Sequence, residues 1–252
     1  MGSVYAVANQ KGGVGKTTTA VNLAASLAVA EKRTLLVDID PQGNSTSGLG
    51  VARDSLEATV YDVLIGKVAA EEVVQPTELA FLQLLPANTE LIGAEIELVG
   101  VRDREFQLRR VLQALRPRYE FVIIDCPPSL GILTINSLAA ADSVIIPIQC
   151  EYYAMEGLGQ LLKTVGLVRS RLNPGLDIKG ILFTMFDSRN NLSHQVAQEV
   201  RRYFPDKIFR TVIPRNVKIS EAPSYGKPVL LYDIGCKGSV SYLELTKEIL
   251  FN

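Results

Sequence analysis

Residues that build metal centres and disulfide frameworks are scarce in this sequence. The three cysteines, Cys126, Cys150 and Cys236, are far apart and odd in number, and they form no Cys-x-x-Cys pair. The one histidine, His194, falls on a predicted helix without a metal-ligand pattern around it, which favours a surface histidine. We therefore expect no disulfide framework and no cysteine or histidine metal site, and we expect a reducing cytoplasm as the setting.

Long apolar runs and an excess of charge of one sign are also missing. No apolar stretch reaches the ~18–20 residues that span a bilayer, and the N-terminus lacks the pattern of a secretory signal. The 26 Lys and Arg residues nearly balance the 27 Asp and Glu residues, for a net charge of −1. Whole-molecule charge therefore does not predict nucleic-acid binding, and any such surface has to be a local patch.

What the sequence does have is a high apolar content arranged as alternating strands and helices. Hydrophobic residues make up 47% of the 252 positions, and the mean hydropathy of +0.17 suits a parallel sheet buried on both faces. The alternation runs from Val4 to the end without an internal repeat or a composition break. The sequence predicts an α/β fold, doubly wound, with a mostly parallel sheet, helices on both faces and a single domain over 1–252.

Apolar runs and helical spacing give the expected positions of the later elements. The predicted strands after the first are 33–40, 79–85, 119–125, 143–149, 178–186 and 209–213. Longer helices are predicted over 90–115, 192–203 and 239–251, and short helices over 44–75.

A glycine-rich loop between the first strand and the first helix carries the most specific motif. Val4–Ala8 has the length of a buried strand, 10–15 is a loop with three glycines, and helical spacing begins at Lys16. Glycines let backbone N–H groups surround an anion, and the helix N-terminus adds partial positive charge. We therefore predict that Lys16 reaches the β- and γ-phosphates of ATP and that Thr17 gives its hydroxyl to Mg²⁺. The loop residues predicted to bind ATP are Gly12, Gly13, Val14, Gly15, Lys16, Thr17 and Thr18.

The loop departs from the usual P-loop pattern at one position. Gln10 stands where that pattern has glycine, and a second lysine, Lys11, opens the loop. Lys-Gly-Gly-Val-Gly-Lys-Thr-Thr is the deviant Walker A signature, and the stretch resembles the ParA/MinD group of ATPases. The resemblance implies that Lys11 also binds ATP, as the signature lysine that crosses to the nucleotide of a partner subunit. A glycine turn with a solvated lysine is the simpler alternative.

Two strands end in carboxylates at the edge where parallel sheets bind ligands. Asp38 and Asp40 precede Pro-Gln-Gly-Asn, which is similar to the ParA-type switch I motif, and the resemblance implies that Asp40 positions the attacking water. Both acids could instead simply end the strand and cap the turn after it. Asp125 precedes Cys-Pro-Pro, which resembles the family's switch II, and it would hold Mg²⁺ through water opposite Thr17. Many α/β strands end in Asp, so this strand alone is a weak signal.

Two late segments contain further candidates. The run over 214–228 resembles the ParA segment that packs on adenine, and this resemblance implies that Pro214 and Asn216 contact the base. A proline-rich surface loop is the alternative. Basic residues concentrate late in the chain, and Arg189 and Lys218 match positions that family members use to bind DNA. Each could equally be a scattered solvated charge.

The combination of motifs is most similar to the short chromosomal ParA, or Soj, partition proteins. The resemblance implies a slow ATP hydrolase with Mg²⁺ in which Lys11, Lys16 and Asp40 are catalytic. It also implies an ATP-dependent homodimer, non-specific DNA binding, a stimulating ParB-type partner, and a cytoplasmic, nucleoid-associated role in chromosome or plasmid partition. A MinD-like membrane ATPase is the first alternative, but the last ten residues suit an anionic lipid surface poorly. A dethiobiotin-synthetase-like ligase and a nitrogenase-iron-protein-like reductase are further alternatives.

Overall fold

One seven-stranded sheet forms the centre of the molecule. A computed structural model describes residues 2–251. Within that range, the strands are β1 Ser3–Val7, β2 Thr34–Asp38, β3 Gln75–Pro76, β4 Leu82–Leu85, β5 Phe121–Asp125, β6 Ser143–Gln149 and β7 Asp177–Thr184. They lie in the order β3-β4-β2-β5-β1-β6-β7, and only the short edge strand β3 pairs in the antiparallel sense. The predicted doubly wound, mostly parallel sheet is confirmed.

Helices cover both faces of this sheet. In the described part of the chain they are α1 Lys16–Val29, α2 Asn44–Gly48, α3 Val60–Leu64, α4 Ala70–Val73, α5 Ile92–Glu97, α6 Gln107–Leu115, α7 Ile132–Ala140, α8 Ala154–Arg171, α9 Asn191–Tyr203, α10 Val217–Glu221, α11 Val229–Tyr232 and α12 Lys237–Phe251. Short 3-10 helices cover Arg53–Ser55, Thr89–Leu91, Leu98–Gly100, Arg104–Phe106, Arg116–Arg118 and Ala222–Tyr225. None of the helices between residues 2 and 251 combines the length and apolar character that a bilayer span requires.

The side chains of β1 alternate between the two faces of the sheet, and each face has its own apolar core. Val4 and Ala6 pack into the core on the α6, α7 and α8 side, whereas Tyr5 and Val7 pack into the core on the α1 and α12 side. Successive side chains of a strand point to opposite faces, so a strand that is apolar throughout needs cover on both sides.

Strand register brings the carboxyl ends of three central strands level. Asp125 of β5 pairs with Val7 of β1 on one side and with Asp38 of β2 on the other. The glycine loop begins just after Val7, and the Asp38 strand leads into the predicted switch I turn. The motifs that are far apart in sequence therefore meet at this edge.

The segment 209–213, predicted as a strand, is not a strand. Its two ends are hydrogen-bonded to β7, since the Phe209 N–H donates to the Ile181 carbonyl at 3.0 Å and the Ile213 N–H to the Phe183 carbonyl at 2.9 Å, but the bridges beside it are isolated. The backbone N–H groups of Arg210 and Thr211 donate to the carboxylate of Glu248 on α12, at 2.7 and 3.0 Å. Between those two ends a side chain therefore accepts the N–H groups, and the hydrogen bonds to β7 do not form a continuous ladder.

The long helix predicted over 90–115 is broken into α5, α6 and 3-10 turns. Asp103 has a φ of 55°, a left-handed conformation that stops a right-handed helix. The other predicted elements agree with the structure apart from their ends, and β2 stops at Asp38, so Asp40 lies in the following turn. The two-residue strand β3 was not predicted.

Candidate active site

The glycine loop has the backbone conformation that an anion cradle requires. Gly13 and Gly15 have φ angles of 73° and 85°, which residues other than glycine rarely adopt. Gly15 is also the residue before α1, so the loop runs directly into a helix N-terminus. The hydroxyl of Thr184 at the end of β7 donates to the Val14 carbonyl at 2.7 Å and fixes the loop from the other side.

The two lysines of the loop point in different directions. Lys16 is 6% exposed, and its Nζ donates to the Lys11 carbonyl at 3.1 Å. Burial lowers the pKa of Lys16, whereas the charges of nearby carboxylates, Asp125 foremost, raise it. The Lys11 side chain is turned away from this position, and its Nζ lies 2.6 Å from Glu151 Oε2 in a half-exposed ion pair. One ammonium group is therefore set in the cavity and the other outside it.

A cavity of about 480 Å³ opens beside the loop and joins most of the predicted site residues. It meets the size expected for a small-molecule or cofactor site. Predicted site residues in its lining are Gly12, Gly13, Gly15, Lys16, Thr17, Thr18, Asp40, Pro214 and Asn216. Val14 is buried behind the loop, and Asp125 lies below it, fully buried. A groove of about 950 Å³ lies at the opposite, amino ends of the strands, away from the glycine loop.

The two switch I carboxylates have different surroundings. Asp38 is fully buried, and its Oδ2 accepts hydrogen bonds from the backbone N–H and the hydroxyl of Thr46, both at 2.8 Å. It thereby holds the turn against the sheet, which supports the strand-capping alternative for Asp38. Asp40 is near the cavity surface, with Oδ1 accepting the Gln42 N–H at 2.9 Å. Of the two acids, Asp40 is therefore the one that a molecule in the cavity can reach.

Asp125 is a fully buried carboxyl group at the carboxyl end of β5. Burial raises its pKa, and the adjacent Asp38 raises it further. Ser45 Oγ donates to Asp125 Oδ2 at 2.7 Å. This hydrogen bond and the polar contact with the Thr17 side chain both lower the pKa of Asp125, against the effects of burial and Asp38. Asp125 Oδ1 is buried and accepts no hydrogen bond within the usual distance from residues 2–251.

This arrangement fits a magnesium ion shared with phosphate. No group of three or more His, Cys, Asp or Glu residues in the described chain forms a protein-only metal cage. Mg²⁺ commonly takes one or two carboxylates, water and substrate phosphates instead of such a cage. The unpaired oxygen of Asp125 and the hydroxyl of Thr17 supply donors of that kind beside the glycine loop.

The far end of the cavity is lined by extended backbone. The Arg215 N–H donates to the Phe186 carbonyl at 3.2 Å, toward β7. Because polar groups alternate along extended chain, the Pro214 carbonyl and the Asn216 N–H face the opposite side. The Asn216 side chain caps α10, its Oδ1 accepting the Lys218 N–H at 2.9 Å.

The candidate DNA residues lie outside the cavity. Arg189 is exposed and forms a bidentate ion pair with Asp187, in which Nε lies 3.0 Å from Oδ1 and Nη2 lies 2.9 Å from Oδ2. Lys218 Nζ lies 3.0 Å from Glu221 Oε2 on α10. Each cation thus already has a carboxylate partner in its own segment, which the charge pattern of the sequence did not predict.

Several lining residues escaped the sequence analysis. Thr184 ends the buried strand β7, and Met185 follows it with a left-handed φ of 48° beside the cavity. Non-glycine residues held in this conformation cluster at functional sites. Tyr242 of α12 also lines the cavity, more than 200 residues from the loop, and no local pattern marks it. A polar residue at the carboxyl end of a buried strand was the one available signal, at Thr184.

Comparison with known proteins agrees with this geometry. A family model described as an AAA domain matches residues 2–178. A protein named chromosome partitioning protein ParA, from Myxococcus xanthus, is 58% identical over 250 residues, covering 99% of this chain and 88% of that protein. The chain belongs to the ParA family of ATPases. The sporulation initiation inhibitor protein Soj of Bacillus subtilis is 56% identical across the full length of both chains.

Among solved structures, a cobyrinic acid a,c-diamide synthase from Mycobacterium smegmatis with bound ADP and magnesium superposes with a TM-score of 0.88. It is 41% identical and covers 99% of this chain and 94% of its own. Its identity to this ParA-family chain is lower than that of the two relatives above. As a member of the ParA family, the chain is an ATP-hydrolysing enzyme.

Proposed function

We propose that this chain is an ATP-driven dimer switch for chromosome or plasmid partition, which binds DNA without sequence preference and acts with a ParB-type partner. The observation that carries the proposal is the opposite orientation of the two loop lysines. An ATP site that needs both ammonium groups cannot be completed by one subunit in this conformation. A second copy is the natural donor of the missing charge.

The chemistry of the proposed site is charge neutralisation and positioning, which phosphoryl transfer to water chiefly requires. Lys16, held in the cavity, would meet the β- and γ-phosphates, and the loop N–H groups would surround them. Thr17 and Asp125, the latter through water, would hold Mg²⁺, which when bound neutralises phosphate charge. Asp40, at the cavity surface, would orient the attacking water.

Lys11 would couple pairing to the nucleotide. In the ATP state its ammonium leaves Glu151 and meets the triphosphate of the neighbouring subunit, where the γ-phosphate supplies charge that ADP lacks. Hydrolysis removes that charge and weakens the contact, so the dimer separates. Association therefore reports which nucleotide is bound.

The far end of the cavity would select adenine. A carbonyl at Pro214 and an N–H at Asn216, on the same side of extended chain, match the amino group and ring nitrogen of the adenine edge. Guanine presents an acceptor and a donor in the reverse order along that edge. We therefore propose ATP, not GTP, as the substrate.

DNA binding would use Arg189 and Lys218 from both subunits. Phosphate contacts by lysine and arginine give affinity without sequence preference. With a net charge of −1 the monomer has little general attraction for DNA, so two subunits have to combine their basic segments. This makes DNA binding depend on ATP, and it supports a nucleoid-associated location.

The names of the relatives support the biological role. ParA of M. xanthus is named for chromosome partitioning, and we extend that role to this chain together with the ParB-type partner that stimulates hydrolysis. Size-exclusion chromatography with light scattering tests the switch directly. Asp40→Ala with ATP should run as a stable dimer with little turnover, and with ADP as a monomer. An Asp40→Ala protein that stays monomeric in ATP would contradict the proposal.

A further inference from the structure

The first turn of the short helix α2 brings two consecutive hydroxyl groups to two buried carboxylates. Ser45 Oγ donates to Asp125 Oδ2 at 2.7 Å, and the hydroxyl and backbone N–H of Thr46 donate to Asp38. All four side chains are fully buried. Asp38 and Asp125 are paired in the strand register, so they lie side by side at the ends of β2 and β5. The start of α2 is therefore hydrogen-bonded to the carboxyl ends of both strands.

The Ser45 hydrogen bond leaves Asp125 with one oxygen to offer to a ligand. Ser45 occupies Oδ2, whereas Oδ1 is buried and accepts no hydrogen bond from residues 2–251 within the usual distance. A buried carboxylate oxygen without a donor is unfavourable, so its position indicates a ligand that brings a donor. Water bound to Mg²⁺ is such a donor. Thr17 also makes a polar contact with Asp125, but its hydroxyl is proposed to bind Mg²⁺. Ser45 is therefore the donor that stays on Asp125 when the metal is bound.

The helix that contains Ser45 also closes the turn that contains Asp40. Gly43 is the residue before α2, and its N–H donates to the Asp40 carbonyl at 2.8 Å. Gly43 has a left-handed φ of 59°, and a Cβ at this position would lie 2.7 Å from the Ala87 carbonyl oxygen. The turn is thus packed too closely to absorb a movement of α2. A displacement of Ser45 therefore also displaces Asp40 relative to Asp125.

We propose that Ser45 is a positioning residue for the magnesium site and that its hydroxyl links this site to the turn that contains Asp40. This inference rests on the proposed function, since it assigns a role beside the Mg²⁺ that Thr17 and Asp125 would hold. The Ser45 hydrogen bond fixes the rotation of the Asp125 carboxylate, so that Oδ1 stays available to the metal-bound water. Through α2 it also sets the separation of Asp125 and Asp40. Removal of a group that orients a metal-binding side chain typically costs about 10- to 100-fold in metal affinity.

The test uses the full chain with Ser45→Ala, which removes the hydroxyl and adds no atoms. Ser45→Cys is the second variant, because it keeps a side chain of similar size but has only a weak donor. Ser47→Ala on the same helix is the matched control, since the Ser47 hydroxyl donates to the backbone carbonyls of Gly43 and Asn44, at 3.2 and 3.4 Å. Melting curves without nucleotide check that all three variants fold.

The main readout is ADP binding by calorimetry, first in EDTA and then over a series of Mg²⁺ concentrations. We expect the affinity for ADP in EDTA to match the wild type in every variant, because Ser45 lies behind Asp125 and not in the lining of the cavity. In both Ser45 variants, the Mg²⁺ concentration that gives half of the gain in ADP affinity should rise at least about tenfold. Their kcat at saturating ATP and Mg²⁺ should fall as well, since Asp40 is displaced. Ser47→Ala should behave as wild type throughout.

A Mg²⁺ requirement within about twofold of wild type in Ser45→Ala would overturn the inference and leave the proposed function intact. An equal loss of ADP affinity in EDTA and in Mg²⁺ would also overturn it, because the variant would then distort the whole cavity. Wild-type behaviour of Ser45→Cys beside a defective Ser45→Ala would assign the effect to packing, and an unchanged kcat would refute the link to Asp40. ADP binding that ignores Mg²⁺ in the wild-type protein would contradict the proposed magnesium site itself.

Discussion

Replacing Glu151 by glutamine should strengthen ATP-dependent pairing. In the free chain the Lys11 ammonium is bound to Glu151 at 2.6 Å, and this contact has to break before Lys11 can reach a neighbouring nucleotide. The two side chains are 35% and 48% exposed, so the pair is worth only ~0.2–1 kcal/mol after solvent screening. Each dimer breaks two such contacts, which gives ~0.4–2 kcal/mol per dimer, or a dissociation constant about 2- to 30-fold lower.

Sedimentation of Asp40→Ala protein with ATP, with and without Glu151→Gln, measures this constant while turnover is suppressed. Glu156→Gln is the control, since it removes the same charge from the exposed start of α8 and leaves the Lys11–Glu151 contact in place. The increase should shrink at high salt, because an exposed ion pair is screened. Equal dissociation constants for Glu151→Gln and Glu156→Gln would refute the idea that the Lys11–Glu151 ion pair opposes dimer formation. Weaker pairing in Glu151→Gln would indicate that Glu151 makes a favourable contact across the dimer interface.

The remaining predictions concern the nucleotide and the DNA. Lys16→Ala should weaken ATP binding about 10- to 100-fold, the loss of a charge-assisted hydrogen bond in a buried site, as measured by calorimetry; unchanged affinity would exclude Lys16 from the phosphate site. GTP should compete with ATP about 10- to 100-fold less well, because mispaired polar groups at Pro214 and Asn216 cost ~1–3 kcal/mol, and equal competition would contradict that assignment. Arg189→Glu with Lys218→Glu should strongly weaken the ATP-dependent gel shift, and the salt slope of the remaining DNA binding should be lower by up to about 4, for four phosphate contacts per dimer. Arg169→Glu with Arg171→Glu on α8 is the control, and an equal loss in both pairs would point to general charge.

The glycine loop was predictable from the sequence because its signal is local. The glycines, the strand before them and the start of the helix after them lie within 20 consecutive residues. Gly13 and Gly15 have left-handed φ angles, which glycine adopts without steric strain. The doubly wound sheet was predictable for the same reason, since each buried strand is a continuous apolar run.

What the sequence missed depends on contacts between distant residues. Glu151 lies 140 positions from Lys11, so no local sequence pattern predicted that Glu151 would bind the signature lysine outside the cavity of its own subunit. Segment 209–213 has a strand-like composition, yet Glu248, more than 30 residues later, takes two of its N–H groups. Strand endings could not separate Asp38 from Asp40 either, because the two hydrogen bonds that hold Asp38 in the turn come from Thr46, eight residues later.

Mixing two inactive variants tests the central claim that Lys11 completes the site of the neighbouring subunit. Lys11→Ala retains Asp40, and Asp40→Ala retains Lys11, so a mixed dimer has one complete site if Lys11 acts across the interface. The rate of ATP hydrolysis in the presence of DNA should be negligible for each variant alone. In an equal mixture turnover should reappear, up to about a quarter of wild type, which is the value for random pairing, where half of the dimers are mixed and each has one complete site of two. A mixture as inactive as its components, with mixed dimers present, would contradict the account.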